Sequence, residues 1–391
     1  MTGLIVQEWI EPSGGAEQVL DAFRVALPDS RFYALWSDDP DRFAASEVDE
    51  SWMARTPLRR HKAIGLPLMP VTWRMSGVRE RPDWVLNSSY VFAHHSDFGT
   101  RSGGVPKFSY IHTPARYLWE PDLDGRGRGK GLAAARGVLK AIDKSAAARA
   151  GDLAANSEFV RRRIVRSWER DACVIYPPVQ SRVIINGGRW QDRLTFSEEE
   201  ILSSLPERGF LLAASRLVPY KRHSAVIRMG EALDIPVVVA GSGPEREKLE
   251  ALASTVSVPV RLLGHISDAL MRALFQRALA FVFPPVEDFG ILPVEAMAAG
   301  CPVIVNREGG ASESVLDGVT GFHVDPHDLQ EVAAAMTRVD QLAPDVMQAR
   351  AELFDVDRFV GQVQAWVLGG IALSGQRSAG GMDRPKMAAS A

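Results

Sequence analysis

The sequence predicts an α/β protein of two domains, each built on a parallel sheet with helices on its faces. Three observations lead there. The chain has 391 residues, beyond the size at which a single hydrophobic core stops growing. Short, largely apolar runs such as FLLAAS (210–215), IPVVVA (235–240) and AFVF (280–283) alternate with helical stretches, as strands buried on both faces of a sheet require. Residues 281–305, FVFPPVEDFGILPVEAMAAGCPVIV, read as strand, loop, helix and strand in succession.

The chemistry is organised around that last stretch. A buried strand at 280–283 meets the Pro284-Pro285 break, and a loop centred on Phe289-Gly290 follows. A helix begins near Pro293, and a second buried strand covers 302–305. Glu287 lies on the loop and Glu295 in the first helical turn, eight positions on, so both can face the carboxyl end of the first strand. Pro293 suits a first turn because its missing N–H would be unpaired there. The amides of Gly290, Ile291 and Leu292 then suit an anionic or polyhydroxylated ligand. Two acids at a solvated helix start would be an ordinary pattern; two acids between apolar strands are not.

In the first half, residues 3–10 form a short apolar strand and Ser13-Gly14-Gly15 a tight turn. A helix over 16–26 carries Ala16, Val19, Leu20 and Phe23 on its apolar face. Glycines between strand and helix let backbone approach a ligand, which makes Gly14 and Gly15 candidates. Strands are expected at 31–36 and 84–87. Between them, PLRRHKAIGLPLMPVTWRM mixes Arg59, Arg60, His61 and Lys62 with Leu66, Leu68, Met69 and Trp73. It reads either as a helix with one solvated face or as a surface that lies on anionic lipid. A strand at 107–112 is closed by Thr113-Pro114, which leaves His112 at its carboxyl end, where open α/β sheets place ligand groups. GRGRGK at 125–130 reads as a flexible basic loop and 133–150 as a helix. After a strand at 153–156, Ser157 caps the helix EFVRRRIVRSW. Arg161, Arg162 and Arg163 on that helix suit a solvated face or an anionic acceptor. Pro177-Pro178 reads as the interdomain linker.

The second half opens with the strand at 210–215, which delivers Arg216 and, past LVPY, Lys221. Two cations at a strand exit suit a leaving diphosphate. The strand at 235–240 leads to Gly241-Ser242-Gly243, a nucleotide signal of low specificity; Arg246 stands where a dinucleotide fingerprint needs a third glycine. A strand at 260–263 ends in Gly264-His265-Ile266. Helices are expected over 325–339 and 357–368, with a disordered tail from Ser374.

The acid pair Glu287/Glu295, followed by AMAAGCPVIV and GGASE, resembles the retaining nucleotide-sugar glycosyltransferases of the large family 4 (glycosyl transferases group 1). SRLVPYKR resembles their diphosphate-binding motif. IHTPARYLWE and Glu287-Asp288-Phe289-Gly290 resemble their bacterial mannosyltransferase branch. The resemblance implies the GT-B fold, two Rossmann-like parallel-sheet domains facing a central cleft: an acceptor-side domain over 1–178, a donor domain over 179–355, and a helix over 356–373 that crosses back to the first domain, before a tail over 374–391. It implies a hexose transferred with retention from a nucleotide diphosphate to a hydroxyl of a glycan, lipid-linked or small-molecule acceptor, with GDP-mannose favoured as donor and a UDP-hexose as alternative. By the same resemblance Arg216 and Lys221 hold the diphosphate, and His112 and Glu287 contact the sugar. Glu295 accepts from the ribose diol, His265 and Ile266 border the base, Gly14 and Gly15 lie beside the diphosphate, and Gly241, Gly243, Asp288, Phe289, Gly290, Ile291 and Leu292 complete the donor site. Two further readings remain: a nucleotide-sugar 2-epimerase of the same fold, and a non-catalytic sugar-nucleotide sensor or inactive subunit.

Bulk properties set the remaining expectations. With 45 basic and 48 acidic residues the net charge is −3, which gives no reason to expect a nucleic-acid partner. Cys173 and Cys301, far apart, point to a reducing compartment. Glu8 and Glu11 stand where a leader would be basic and then apolar, and no apolar run reaches about 18 residues. A cytoplasmic protein is expected, with peripheral contact at the inner membrane surface as an addition. Neither a cofactor nor a metal is expected, because the sequence offers no evident metal-ligand cluster and cations already stand at the diphosphate.

Overall fold

The computed structural model describes residues 1–78, 80–100, 104–121, 130–206 and 209–379. It divides into two compact units. One comprises Met1–Ala155, Arg161–Ile175 and the chain from Phe359; the other comprises Asn156–Val160 and Tyr176–Arg358. Among the described residues no helix is long and apolar enough to cross a membrane.

The first unit holds a parallel sheet of β1 (Gly3–Gln7), β2 (Ser30–Ala34), β3 (Val48–Glu50), β4 (Trp84–Ser89), β5 (Lys107–Ile111), β6 (Asp152–Ala155) and β7 (Cys173–Val174), in the order β3-β2-β1-β4-β5-β6-β7. Strands β3 and β7 are too short, and β3 too polar, to stand out in the sequence. The direction of winding reverses between β1 and β4, so a crevice is expected beyond their carboxyl ends. The register sets Gln7 beside Ser88, and Ser88 beside Tyr110. Helix Gly15–Ala26 starts one residue earlier than its apolar pattern.

The second unit repeats the plan with β8 (Leu211–Ala214), β9 (Val237–Ala240), β10 (Val260–Gly264), β11 (Ala280–Phe283), β12 (Val303–Asn306) and β13 (Gly321–Val324), in the order β10-β9-β8-β11-β12-β13. Its winding reverses between β8 and β11. Four of these strands, β8, β9, β11 and β12, are buried along their whole length, as their unbroken apolar runs require.

Several boundaries move. The helix after Gly290 runs Ile291–Ala298, so Pro293 sits third in it rather than first; any position of the first turn tolerates its missing N–H. The span 325–339 holds a shorter helix, Leu329–Met336, started by the Asp328 side chain accepting from the N–H groups of Gln330 and Glu331. A helix at Pro344–Glu352, which buries Met347 and Ala351, was not anticipated. The last helix spans Val356–Ala379, past the expected bounds at 368 and 373 and into the tail expected from Ser374. Gly369-Gly370 looks like a stop, yet a Cβ on Gly370 would lie 2.5 Å from the Phe108 ring, so close packing is the reason for that glycine. Trp366 meets Phe108 edge-on at 5.4 Å, Phe359 lies 5.5 Å from Phe23, and Gln364 donates to the Ala26 carbonyl at 3.0 Å. Residues 125–129 of the basic loop and 380–391 of the expected tail lie outside the described residues.

Candidate functional site

In the second unit the loops leaving β8 and β11 meet at the winding reversal. The β8 exit, Ser215-Arg216-Leu217, is zipped to the turn after β9: Leu217 N–H donates to the Ser242 carbonyl at 2.8 Å and Glu245 N–H to the Leu217 carbonyl at 3.0 Å. Both glycines of that turn have positive φ, and a Cβ would fall 1.9 Å from the Ser215 carbonyl at Gly241 and 2.4 Å from that of Leu217 at Gly243. Backbone packing therefore accounts for Gly241 and Gly243, and through it they set the position of Arg216. Arg216 is exposed and ends 3.5 Å from the Tyr220 hydroxyl.

Lys221 closes a short 3-10 turn, Pro219–Lys221, and its Nζ lies 2.7 Å from Glu287 Oε1, each side chain about 14% exposed. The ammonium also sits 5.5 Å from the centre of the Phe283 ring. His223, which the sequence reading passed over, is buried next to it and contacts Ser215 Oγ at 3.1 Å through Nε2. Burial, helped by the charge of Lys221, lowers its pKa to about 4 and keeps it neutral at pH 7. The only local signal was a histidine following Lys-Arg at a strand exit.

The loop that carries Glu287 is clamped by the segment after β12. Asn306 Nδ2 donates to the Pro284 carbonyl at 3.0 Å, and Gly310 N–H to that of Glu287 at 2.7 Å. A Cβ on Gly310 would lie 1.9 Å from the Asp288 carbonyl. Ser157, which caps its helix through Val160 N–H, also donates to the Asp288 carbonyl at 2.5 Å. Glu313 of the GGASE motif accepts from the N–H groups of Glu158 and Phe159 at 2.7 and 2.6 Å, a capping role that the motif alone did not announce. Phe289 corrects an expectation: its side chain is buried against Tyr176 and Phe354, at 5.6 and 5.5 Å, so only its backbone is available to a ligand. Gly290 adopts φ +85° and opens the helix whose first-turn amides belong to Ile291 and Leu292.

Glu295, one turn into that helix, is only partly buried by area, yet protein surrounds its carboxyl. Desolvation pushes its pKa up to about 7; Arg272 opposes the shift and Asp268 adds to it. Ile266 packs partly on the core, while His265 beside it is exposed on the turn that Gly264 makes at φ +78°. The contacts thus join Lys221 with Glu287 and leave Arg216 at their side on Tyr220. Glu295 instead feels the charges of Arg272 and Asp268.

In the first unit His112 follows β5, with its Nε2 2.9 Å from Ser88 Oγ; burial lowers its pKa to about 3. Gly14 precedes helix Gly15–Ala26 with extended backbone, and a Cβ there would meet the Glu17 carboxylate at 2.4 Å. Glu8 is buried and accepts from the N–H groups of Val91, Phe92 and Ala93, each at 2.8 Å. Burial nevertheless raises its pKa. The expectation of no metal-ligand cluster needs correction, because folding brings together His94, His95 and Asp143, all buried. Hydrogen bonds account for the cluster. Trp119 and Trp168 donate their indole N–H groups to Asp143 Oδ2 at 2.7 and 2.8 Å, and His95 Nε2 lies 2.9 Å from Oδ1. Against the burial that would raise it, His94 and then His95 hold the Asp143 carboxyl well below the usual range, and burial lowers His95 to about 4.

Residues 197–349 match the family glycosyl transferases group 1. The chain is 35% identical over 162 residues to the GDP-mannose-dependent alpha-(1-6)-phosphatidylinositol monomannoside mannosyltransferase of Mycolicibacterium smegmatis, covering 38% of this chain and 42% of that protein. It is 30% identical over 286 residues to the D-inositol 3-phosphate glycosyltransferase of a Nocardioides species, covering 64% and 59%. The chain spans about half the length of the curated relatives it matches. Among solved structures, Anabaena HepE in complex with UDP superposes with a TM-score of 0.71 at 17% identity, covering 94% of this chain and 100% of that one, which shows a shared fold. Sequence match and fold agree: residues 197–349 match the glycosyl transferases group 1, and the chain shares its fold with Anabaena HepE.

Proposed function

We propose that the protein is a retaining glycosyltransferase that moves a hexose from a nucleoside diphosphate sugar to an acceptor hydroxyl. The observation that carries the reading is the half-buried Lys221–Glu287 pair at the β8/β11 reversal, beside the helix start at Gly290. Breaking the sugar–phosphate bond builds negative charge on the departing diphosphate and positive charge on the ring, so the site needs fixed cations at one and oriented dipoles at the other. Lys221, ion-paired with Glu287, carries three N–H donors and can also reach phosphate oxygens. Arg216, exposed beside it, adds a planar fork suited to the same anion. Glu287 and the amides of Ile291 and Leu292 hold sugar hydroxyls, and Glu295 accepts from the ribose. His265 and Ile266 border the base. No step needs a metal, because the side-chain cations supply the charge.

Mannose from GDP-mannose is the favoured donor, supported by the mycobacterial relative's name; the UDP bound by Anabaena HepE favours a UDP-hexose as the second reading. The test is a thermal-shift series with GDP, UDP, GDP-mannose and UDP-glucose, followed by turnover of the stabilising donor in excess chelator. A ligand at 100 times its Kd stabilises the fold by about 2.7 kcal/mol. A rise in Tm with one nucleotide series and chelator-resistant turnover are expected; no shift with any of the four, or a strict divalent-cation requirement, would reject the reading.

We place the acceptor at a lipid surface, on the cytoplasmic face of the membrane. The helical run 62–75 buries Met69, Thr72 and Trp73 while exposing Ile64, Leu68, Val71 and Met75, a stripe at helical spacing on its other side. Arg74 in the run and Arg55 and Arg60 just before it are exposed and form no ion pair among the described residues. An apolar stripe flanked by cations suits an anionic bilayer.

A further inference from the structure

We infer that Gln7 and Ser88 are positioning residues that hold His112 as its Nε2–H tautomer and so leave Nδ1, as an acceptor, for a ligand hydroxyl. The inference deepens the transferase reading and rests on it for the identity of the ligand. Its first link is the strand register, which sets Gln7 of β1 beside Ser88 of β4. The Gln7 amide can face only one way, because Nε2 has the Trp9 carbonyl at 3.2 Å and Glu17 Oε1 at 3.4 Å, both acceptors. Its oxygen is therefore turned to Ser88, whose hydroxyl donates to it at 2.9 Å. That donation uses the single Ser88 hydrogen. Towards His112, 2.9 Å away, Ser88 Oγ can only accept, so His112 Nε2 must carry the hydrogen.

A neutral imidazole has one such hydrogen, and the depressed pKa of His112 is consistent with a neutral ring. Nδ1 is left with a lone pair, and no donor among the described residues reaches it. Tyr90 and Tyr110 meet the ring edge-on at 5.8 and 5.1 Å and so hinder an exchange of its nitrogens. Part of the residue is open to solvent. A ring held in place with an accepting nitrogen selects a ligand that brings a hydroxyl. Diphosphate oxygens bring no hydrogen at neutral pH, whereas a sugar does. Glu17, which accepts from both Gln7 and Glu11 N–H, ties the relay to the turn at Gly14.

The test is nitrogen NMR on the full-length protein with 15N-labelled histidine, the His112 signals being identified by their loss in His112→Asn. A pyrrole-type Nε2 and a pyridine-type Nδ1 are expected. In Gln7→Leu the Ser88 hydroxyl loses its acceptor and turns to donate to the ring, so the hydrogen moves to Nδ1. In Ser88→Ala both tautomers are populated. Gln7→Leu should also weaken binding of the donor sugar nucleotide about tenfold, the scale of one hydrogen bond, and leave the bare nucleoside diphosphate unchanged. A wild-type ring carrying its hydrogen on Nδ1, an unmoved tautomer in both variants, or equal weakening of sugar nucleotide and bare diphosphate would each overturn the inference. If no sugar nucleotide binds the wild type, the transferase reading falls, and with it the hexose as ligand; the NMR arms still decide the tautomer by themselves.

Discussion

Lys221 and Glu287 neutralise each other at 2.7 Å with little solvent to screen them, so each is held where the other needs it. Lys221→Ala is expected to lower kcat by about a hundredfold, the scale of one lost transition-state donor, with a smaller change in donor KM. Steady-state kinetics, with a melting curve to confirm folding, would check it. Glu295 gives a stability prediction with a definite sign. Its folded pKa of about 7 lies above the ordinary carboxyl value, so its contribution is fully present below that ordinary value and is lost as pH rises through 7. Glu295→Gln, which never ionises, should gain on the wild type between pH 5 and 8 by about 1.4 kcal/mol per pH unit at most, levelling at about 2–3 kcal/mol. Denaturant melts at both pH values measure the gap. At Gly310 a Cβ would collide with the Asp288 carbonyl at 1.9 Å. Gly310→Ala is expected to cost about 2–4 kcal/mol and to displace the Glu287 loop, read as a lower melting midpoint and a lower kcat together. Of these residues Lys221, Glu287 and Glu295 were legible as local motifs. The structural role of Gly310 was not, because its reason is a carbonyl more than twenty residues away.

At the scale of elements, strands were easier to find than their partners. Fully buried β8, β9, β11 and β12 announce themselves as unbroken apolar runs, whereas β3 and β7 have too few residues to carry a pattern. Helix ends moved for local and for tertiary reasons. Asp328 caps Leu329–Met336 locally, whereas Val356–Ala379 runs through Gly369-Gly370, where Phe108 takes the space a side chain on Gly370 would fill. The run 62–75 illustrates the opposite limit: its composition suggested an amphipathic surface, but only burial showed which apolar residues are spent on the core. Replacing Ile64, Leu68, Val71 and Met75 together by Ser should leave the melting temperature within a few degrees, since all four are exposed. It should also abolish sedimentation with anionic vesicles at low salt. Sedimentation equal to wild type would remove the lipid-surface proposal.

For the molecule as a whole, the sequence by itself determined the class of fold, the doubling of a parallel α/β plan and the stretch around Glu287. Those properties are written in local patterns: the alternation of buried strands with helices, and a strand, a loop with two acids and a helix start in unbroken succession. Only the tertiary structure decided that Gly241 and Gly243 serve backbone packing and that Phe289 belongs to the core. It alone joined His94 and His95 with Asp143, and Gln7 with Ser88 and His112. Each of these depends on groups brought together across strands or from distant segments, and a chain read in one dimension holds the residue types but not the register that makes them neighbours.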